Sequence, residues 1–349
     1  MSMARESGMN LIFTPILTPP VDTAIGGERP TVQLVEIAKE NDHYSFDFQR
    51  LERWIDMALE RGFYGFEINH FFTQWGAKHA PKVIATVNGK RKRIFGWETD
   101  ACGKDYHDFL KALVPALLEV FASKGITRER LFFHISDEPT TPNIDSYRRA
   151  GELLHPLIEG CTQFDALSEY DFFKNGLVKE AVVSNDHINP FLENNVPNLW
   201  AYYCSWQGNR VGNRFFAMPS YRNRILGVQM YKANLRGFLH WGYNFYYTRL
   251  SKGVVDPYKE TACGCEFVSG DAYSVYPYQD GVTPSLRLKV FYDALQDMRL
   301  LYLVEDRIGR EAVIEALDRL CGAPLTFKDY PRDAKFFDQL EAFIFSNLK

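Results

Sequence analysis

Apolar positions along the chain keep changing period, and the change divides it into alternating strands and helices. Asn10–Ile16 and Thr31–Ile37 are apolar runs of strand length. From Asp47 to Arg61 the apolar residues Phe48, Leu51, Trp54, Ile55 and Ala58 recur at helical spacing, and Gly62 follows where a C-cap belongs. Tyr64–Asn69 returns to strand character. A helix is expected over Tyr106–Ser123, bent near Pro115, and Leu131–Ser136 is the next apolar strand. Thr141-Pro142 opens a helix through Leu157.

The alternation continues through strands at Thr162–Asp165, Ala181–Val183, Asn198–Tyr203 and Gly237–Trp241, with a helix near Tyr221–Leu235. A long helix, Ser285–Val304, carries Leu288, Phe291, Leu295 and Met298 on one face, and two shorter helices end the chain. Short apolar strands separated by helices belong to parallel sheets covered on both faces. The expected fold is an α/β (β/α)8 TIM-type barrel with a C-terminal helical extension, and an open doubly wound sheet is the alternative. Residues 1–305 would form the catalytic barrel and residues 306–349 helices packed on it. No glycine-rich phosphate loop follows any strand, so no nucleotide cofactor is expected.

Composition narrows the partners. Acidic residues outnumber basic ones by 44 to 40 over 349 residues, which argues against a phosphate-neutralising nucleic-acid face. No apolar stretch approaches membrane-span length. The six cysteines are scattered without a C-x2-C pair, and no signal-peptide pattern opens the sequence; both point to a cytoplasmic protein. The 27 Phe, 19 Tyr and 6 Trp supply a ring-rich core and, at a few positions, walls for a sugar.

In a parallel barrel, chemistry sits at the C-terminal strand ends. The polar residues there are Asn69 and His70, Asp137 and Glu138, Asp165, Asp186 and His187, Tyr202 and Tyr203, then Trp241 and Asn244. Leu131-Phe-Phe-His-Ile-Ser-Asp-Glu-Pro139 is distinctive: an apolar strand runs directly into two acids and stops at a proline, which should hold Glu138 extended. Adjacent carboxylates in a partly dry cleft push one pKa up, as glycoside hydrolysis requires; capping of the following helix is the plain alternative. A metal reading would gather His70, His79, His134 and Asp137, but no closely spaced ligand motif supports it, and no metal is expected. Strand parity sets His134 opposite Ile135, toward the helix layer.

The segments Phe133-His-Ile-Ser-Asp-Glu-Pro139, Asn198-Leu-Trp-Ala-Tyr-Tyr-Cys204, Gly237-Phe-Leu-His-Trp241, Gly270-Asp271, Tyr276-Pro277 and Ser285-Leu-Arg-Leu288 with Asp297 together resemble glycoside hydrolase family 123, in the broader group that carries the C-terminal domain of unknown function 4091. The resemblance covers residues 10 to 305. It implies a β-N-acetylgalactosaminidase-like barrel using substrate-assisted catalysis. Glu138 would be the general acid/base, and Asp137 would orient and charge-stabilise the acetamido group whose oxygen attacks C1. Trp200, Tyr202 and Trp241 match aromatic positions of the family's motifs, and His70, Trp75 and Asn244 are further candidates for sugar contact. The family's Gly-Asp-Gly and Tyr-Pro-Gly read here Gly270-Asp-Ala272 and Tyr276-Pro-Tyr278. A carbohydrate substrate and no cofactor are the expectation. A non-hydrolytic glycan-binding barrel, or a metal-dependent hydrolase or isomerase, are the competing classes.

Overall fold

The inner apolar runs become strands because they are buried on both faces: every residue of Leu131–Phe133, Glu180–Ser184 and Trp200–Tyr202 is buried, whereas Leu11–Thr14 and Gly237–Leu239 are only partly covered. A computed structural model describes residues 1–349. Seven strands run parallel: β1 (Leu11–Thr14), β2 (Gly65–Ile68), β3 (Leu131–Phe133), β4 (Thr162–Leu167), β5 (Glu180–Ser184), β6 (Trp200–Tyr202) and β7 (Gly237–Leu239). The chain divides into two compact units. The first holds Met1–Ala181 with Arg249–Gly253, and the second holds Val182–Thr248 with Val254–Lys349. The boundary falls inside β5.

In the first unit β1 pairs with β2, β2 with β3 and β3 with β4, all parallel. Phe132 and Phe133 of β3 stand beside Glu67 and Ile68 of β2, a register that lines up the strand ends. The helix Lys104–Ser123 stays helical across Pro115 and buries Tyr106, Phe109, Leu110, Leu113, Val114, Leu117 and Phe121. Each such side chain stabilises the fold by about 1.5–3 kcal/mol. The expected strand Thr31–Ile37 does not form. Its place is taken by Glu36–Glu40, in a separate sheet ordered His43–Asp47, Glu36–Glu40, Val83–Val87 and Lys90–Phe95. Two turns build that sheet, at Asn41 (φ 56°) and at Asn88-Gly89 (φ 49° and 76°).

In the second unit β5, β6 and β7 are parallel neighbours. β1 pairs only with β2 and β7 only with β6, so seven parallel strands form where eight were expected. Ser285 caps the helix Leu286–Ile308 through its Oγ, which accepts from the Leu288 amide at 3.2 Å. This helix, Tyr221–Lys232 and the terminal helices Arg310–Cys321 and Lys335–Leu348 share one core of Leu301, Val304, Val313, Leu317, Leu340 and Ile344. Asp297 accepts two bonds from Arg224, at 2.7 and 2.9 Å, so this motif residue is a buried brace for the helices. No cysteine pair is bridged, and no helix is long and apolar enough to cross a membrane.

Candidate active site

Beyond β3 the backbone is tied down residue by residue. The Ile135 amide donates to both Asp165 oxygens (3.1 and 3.2 Å), and Ser136 Oγ donates to the Thr73 carbonyl (2.8 Å). The Trp75 amide reaches the Asp137 carbonyl (3.2 Å), and the Glu138 amide reaches the Ala166 carbonyl (3.1 Å). Glu138 is not extended as its proline neighbour predicted: its φ is +42°. The bond to Ala166 holds it there against a steric preference of order 1–3 kcal/mol. The adjoining loop is bent in the same sense, with Trp75, Gly76 and Ala77 at φ 60°, 117° and 54°. A Cβ on Gly76 would lie 2.6 Å from Asn143. Strain concentrates where Asp137, Glu138 and the exposed Trp75 meet solvent.

Below the pair lies a charged clamp drawn from three adjacent strands. His134 Nδ1 donates to Asp165 and Nε2 to Glu67, each at 3.1 Å. Asp165 is fully buried and also accepts from Tyr147 Oη and from Gln163 Nε2 (3.0 Å). Burial alone would lower the His134 pKa, but the hydrogen bonds and charges of Asp165 and Glu67 raise it to about 9. It is therefore an imidazolium at neutral pH. Ile135, not His134, lies against the helix Ile144–Leu154, at Gly151, so the parity expectation is reversed. His134 instead stacks on His70 (4.1 Å, 20°) and Phe164 (4.4 Å). His70 is buried with neither ring nitrogen hydrogen-bonded, and burial first and His134 second push its pKa well down.

His70, His134 and Asp165 each bring a ligand atom to within 4.8 Å of the others, the arrangement nearest to a metal site. The chemistry of the set fits a clamp better. Both His134 nitrogens are taken by carboxylates, and Asp165 is saturated by donors. The two rings are nearly parallel, so their in-plane lone pairs do not converge on one point. His79 lies elsewhere, beside Trp97 at 5.7 Å.

Asp137 carries the electrostatic consequence. Desolvation and the adjacent Glu138 raise its carboxyl well above the usual range, His134 opposes them, and Asp165 and Asp22 add to the rise. Asp22 went unnoticed in the sequence. It sits at φ 51°, accepts from the backbone amides of Leu250 and Ser251, and its own amide donates to Gln74 Oε1 (2.7 Å). Glu67 was missed too, although a charge in the middle of Gly65-Phe-Glu-Ile68 is a readable signal. Asn69 is structural: its Oδ1 accepts from the Leu17 amide and its Nδ2 donates to the His70 carbonyl.

The remaining candidates lie in the second unit. Trp200 and Tyr202 are each 6% exposed, and the Trp200 ring covers Gly237 so closely that a Cβ there would fall 2.2 Å from it. Asn244 is exposed in a β-bridge with Tyr273. Trp241 is half-buried between Phe245 and Phe267, and its Nε1 donates to Asp271 Oδ2 (3.1 Å). Asp271, fully buried, also accepts from Ser205 Oγ (2.7 Å). His240 stands 3.2 Å from the other Asp271 oxygen, and its Nδ1 accepts from Arg214 Nη2 and the Gly242 amide, both at 2.9 Å. Burial, then the Arg214 charge, lower the His240 pKa to about 4 against the pull of Asp271. Burial would raise Asp271, yet His240, Arg214 and Ser205 hold it below the usual range. The sequence motifs contained His240 and Asp271; nothing in the sequence paired them with Arg214.

With this geometry in hand, comparison with known proteins is informative. The model of the glycoside hydrolase 123 catalytic domain matches residues 1–304. Among solved structures, a family 123 glycoside hydrolase from Clostridium perfringens, described in terms of glycolipid glycan hydrolysis, superposes with a TM-score of 0.71 at 12% identity. The match covers 99% of this chain and 64% of that one, so this chain spans less than two thirds of that protein's length. At such identity the likeness bears on the fold alone. A family 5 mannosidase from Rhizomucor miehei aligns over 89% of this chain and 87% of its own, at 9% identity and a TM-score of 0.41, too low to carry any argument. No curated protein matches the sequence.

Proposed function

Because this chain belongs to glycoside hydrolase family 123, we propose that it hydrolyses a terminal β-linked N-acetylhexosamine, N-acetylgalactosamine first among them, with retention and with help from the substrate's own acetamido group. The observation that carries this reading is the Asp137–Glu138 pair at the end of β3, two adjacent acids on a strained and fully tethered backbone, with Asp137 tending to hold a proton. Two neighbouring carboxyls whose charges repel share one proton more readily than they ionise together. In the productive state that proton is on Glu138, which passes it to the leaving oxygen. The acetamido oxygen attacks C1, the C1–O bond to the leaving group breaks, and an oxazolinium forms. Asp137, now a carboxylate, orients the acetamido N–H and offsets its positive charge. Glu138 then takes a proton from water, whose oxygen opens the ring at C1 on the original face. Asp165 is buried and saturated with donors, which argues against its serving as an enzyme nucleophile.

His70, whose ring nitrogens have no partner in the fold, and the exposed Trp75 are assigned to sugar contact. Trp241 and Asn244 are assigned the same role on the chemistry of their groups, with the buried Trp200 and Tyr202 supporting them. The test is a panel of aryl β-glycosides in which the N-acetyl group is progressively fluorinated. The acetamido oxygen weakens along that series, so kcat should fall steeply, and a thiazoline mimic of the intermediate should inhibit strongly. A rate indifferent to fluorination, a trapped sugar–enzyme ester, or an inverted product overturns the mechanism.

A further inference from the structure

Each nitrogen of His134 meets a carboxylate, Asp165 from β4 and Glu67 from β2, both at 3.1 Å. Ionised carboxylates only accept, and a neutral imidazole carries a single N–H, so a neutral ring would turn a lone pair toward one of them. The arrangement therefore fixes a doubly protonated ring. His70, stacked on it at 4.1 Å, is buried without a partner for either nitrogen and stays neutral, so the stack holds one charge and not two. Asp165 is itself held in place by the Tyr147 hydroxyl and the Gln163 amide.

The charge is also fixed relative to the acid pair. His134 precedes Asp137 by three residues, and the Asp165 carboxylate that accepts from its Nδ1 also accepts from the Ile135 amide, at 3.1 and 3.2 Å. Ser136 is tied to the Thr73 carbonyl and Asp137 to the Trp75 amide. Among the charged neighbours of Asp137, Glu138, Asp165 and Asp22 are acids and His134 is a cation. Burial and the acids favour a proton on Asp137, the wrong place for a reaction in which Glu138 donates it. Passing that proton from the Asp137 carboxyl to the Glu138 carboxylate leaves the net charge of the pair unchanged and exchanges only which group is ionised. A cation acting on Asp137 favours the exchange.

We propose that His134 is a positioning residue of the hydrolase: its fixed positive charge stabilises the Asp137 carboxylate, so that the single proton of the pair passes to Glu138. The assignment rests on the hydrolase reading above. Both N–H groups of His134 are engaged by Asp165 and Glu67, so it neither gives nor takes a proton in the reaction and acts through Asp137.

The pH dependence of kcat/KM on the methyl β-glycoside of N-acetylgalactosamine separates this role from a merely structural one. The active form holds one proton on the pair, so its bell is bounded by the two apparent pKa values of the pair. His134→Gln removes the charge and leaves Glu67 and Asp165 in place. Both limbs should move to higher pH by about one unit, and the plateau should fall about tenfold, because less of the singly protonated pair carries its proton on Glu138. Glu67→Gln still offers an oxygen to Nε2, keeps the imidazolium on Asp165, and should move neither limb upward. Limbs that stay in place or move down in His134→Gln overturn the proposal, whatever happens to the plateau. An equal upward shift in Glu67→Gln would trace the effect to loosening of the clamp and overturn it as well. Should His134→Gln fail to fold, the imidazole nitrogen resonances of the wild type decide: a doubly protonated ring at neutral pH sustains the fixed charge, and a neutral ring overturns it. Should the wild type not cleave the glycoside, the hydrolase reading fails separately. The pair is then titrated by carboxyl carbon NMR: apparent pKa values raised by His134→Gln sustain the action of the charge on Asp137, and unchanged values overturn it.

Discussion

Each unit contains one buried histidine set against carboxylate, and the two ionise in opposite ways. His134 lies between Glu67 and Asp165 with the neutral His70 stacked on it, and its pKa is raised to about 9. His240 faces one carboxylate, Asp271, and receives Arg214 on its other nitrogen; its pKa falls to about 4. Burial works against the charged form in both. The decision is made by the neighbour on the second nitrogen: a second carboxylate fixes a charged ring, a guanidinium fixes a neutral acceptor. The first arrangement places a positive charge beneath the Asp137–Glu138 pair, where proton inventory matters. The second leaves the negative charge on Asp271 free to hold two donors, Ser205 and Trp241. The one region is organised to control protons, the other to hold rings still.

If that division is right, the largest effect on turnover belongs to the first region. Glu138→Gln should slow hydrolysis by about 10²–10⁴ while leaving thermal stability nearly unchanged. The loss should shrink for aryl leaving groups of low pKa, which need less protonation. Near wild-type rates on an alkyl leaving group would remove Glu138 from the mechanism and the division with it. The largest effect on stability should come from Asp165→Ala, which strands the His134 charge and deprives Ile135, Tyr147 and Gln163 of their acceptor. Breaking a buried charge pair costs about 3–5 kcal/mol, measurable as a shift of the urea midpoint. A change under 1 kcal/mol would show that the clamp is decoration.

The opposed ionisation also predicts opposed pH limbs. The folded pKa of His134 lies above its ordinary 6.5, so its contribution is complete below pH 6.5 and disappears as pH rises toward 9. The folded pKa of His240 lies below 6.5, so its contribution is complete above pH 6.5 and disappears as pH falls toward 4. Each limb amounts to roughly 3 kcal/mol at full extent. Chemical denaturation between pH 4 and 9 should show His134→Gln flattening the alkaline limb and His240→Gln the acidic one. Identical profiles for the two variants would erase the contrast.

What the sequence disclosed follows the range of the interactions concerned. The alternation of strands and helices is local, and it located all seven parallel strands; the count of eight failed because Thr31–Ile37 does not form a strand, and the strand that begins at its end, Glu36–Glu40, belongs to a separate sheet that no periodicity had signalled. That sheet was nonetheless readable in one place, Asn88-Gly89 between two strand-like runs, a strong hairpin signature. Asp137 and Glu138 stood out because strand, acids and proline are contiguous. The rule that the residue before proline is extended then failed at Glu138, since a long-range bond to Ala166 outweighs a local preference. Asp22 was illegible for the same reason: the amides that hold it come from Leu250 and Ser251, more than two hundred residues on. Arg214 likewise acquires its meaning only when the chain brings His240 and Asp271 to it. A single sequence records which groups are present, and long-range pairing decides which of them are charged.

The smallest predicted effect tests the finest part of the comparison, the sharing of one Asp271 oxygen. Ser205→Ala removes one donor from a fully buried carboxylate that keeps Trp241, His240 and the nearby Arg214 charge. The loss of a hydrogen bond to a charged group costs about 1.5–3 kcal/mol at most. Here it should fall toward 1 kcal/mol, because Ser205 is only partly buried and water can reach the vacated side. Unfolding should therefore shift by a few degrees at most. The more telling measurement is tryptophan emission: with Asp271 still gripping Trp241, loosening the turn that Ser205 shares with Trp206, closed by the Gln207 amide on the Cys204 carbonyl, should broaden the Trp206 part of the exposed component, to which Trp75 also contributes, and leave the buried component in place. If both components move together, Ser205 acts on the whole network, and the two indoles are not held independently by the one oxygen.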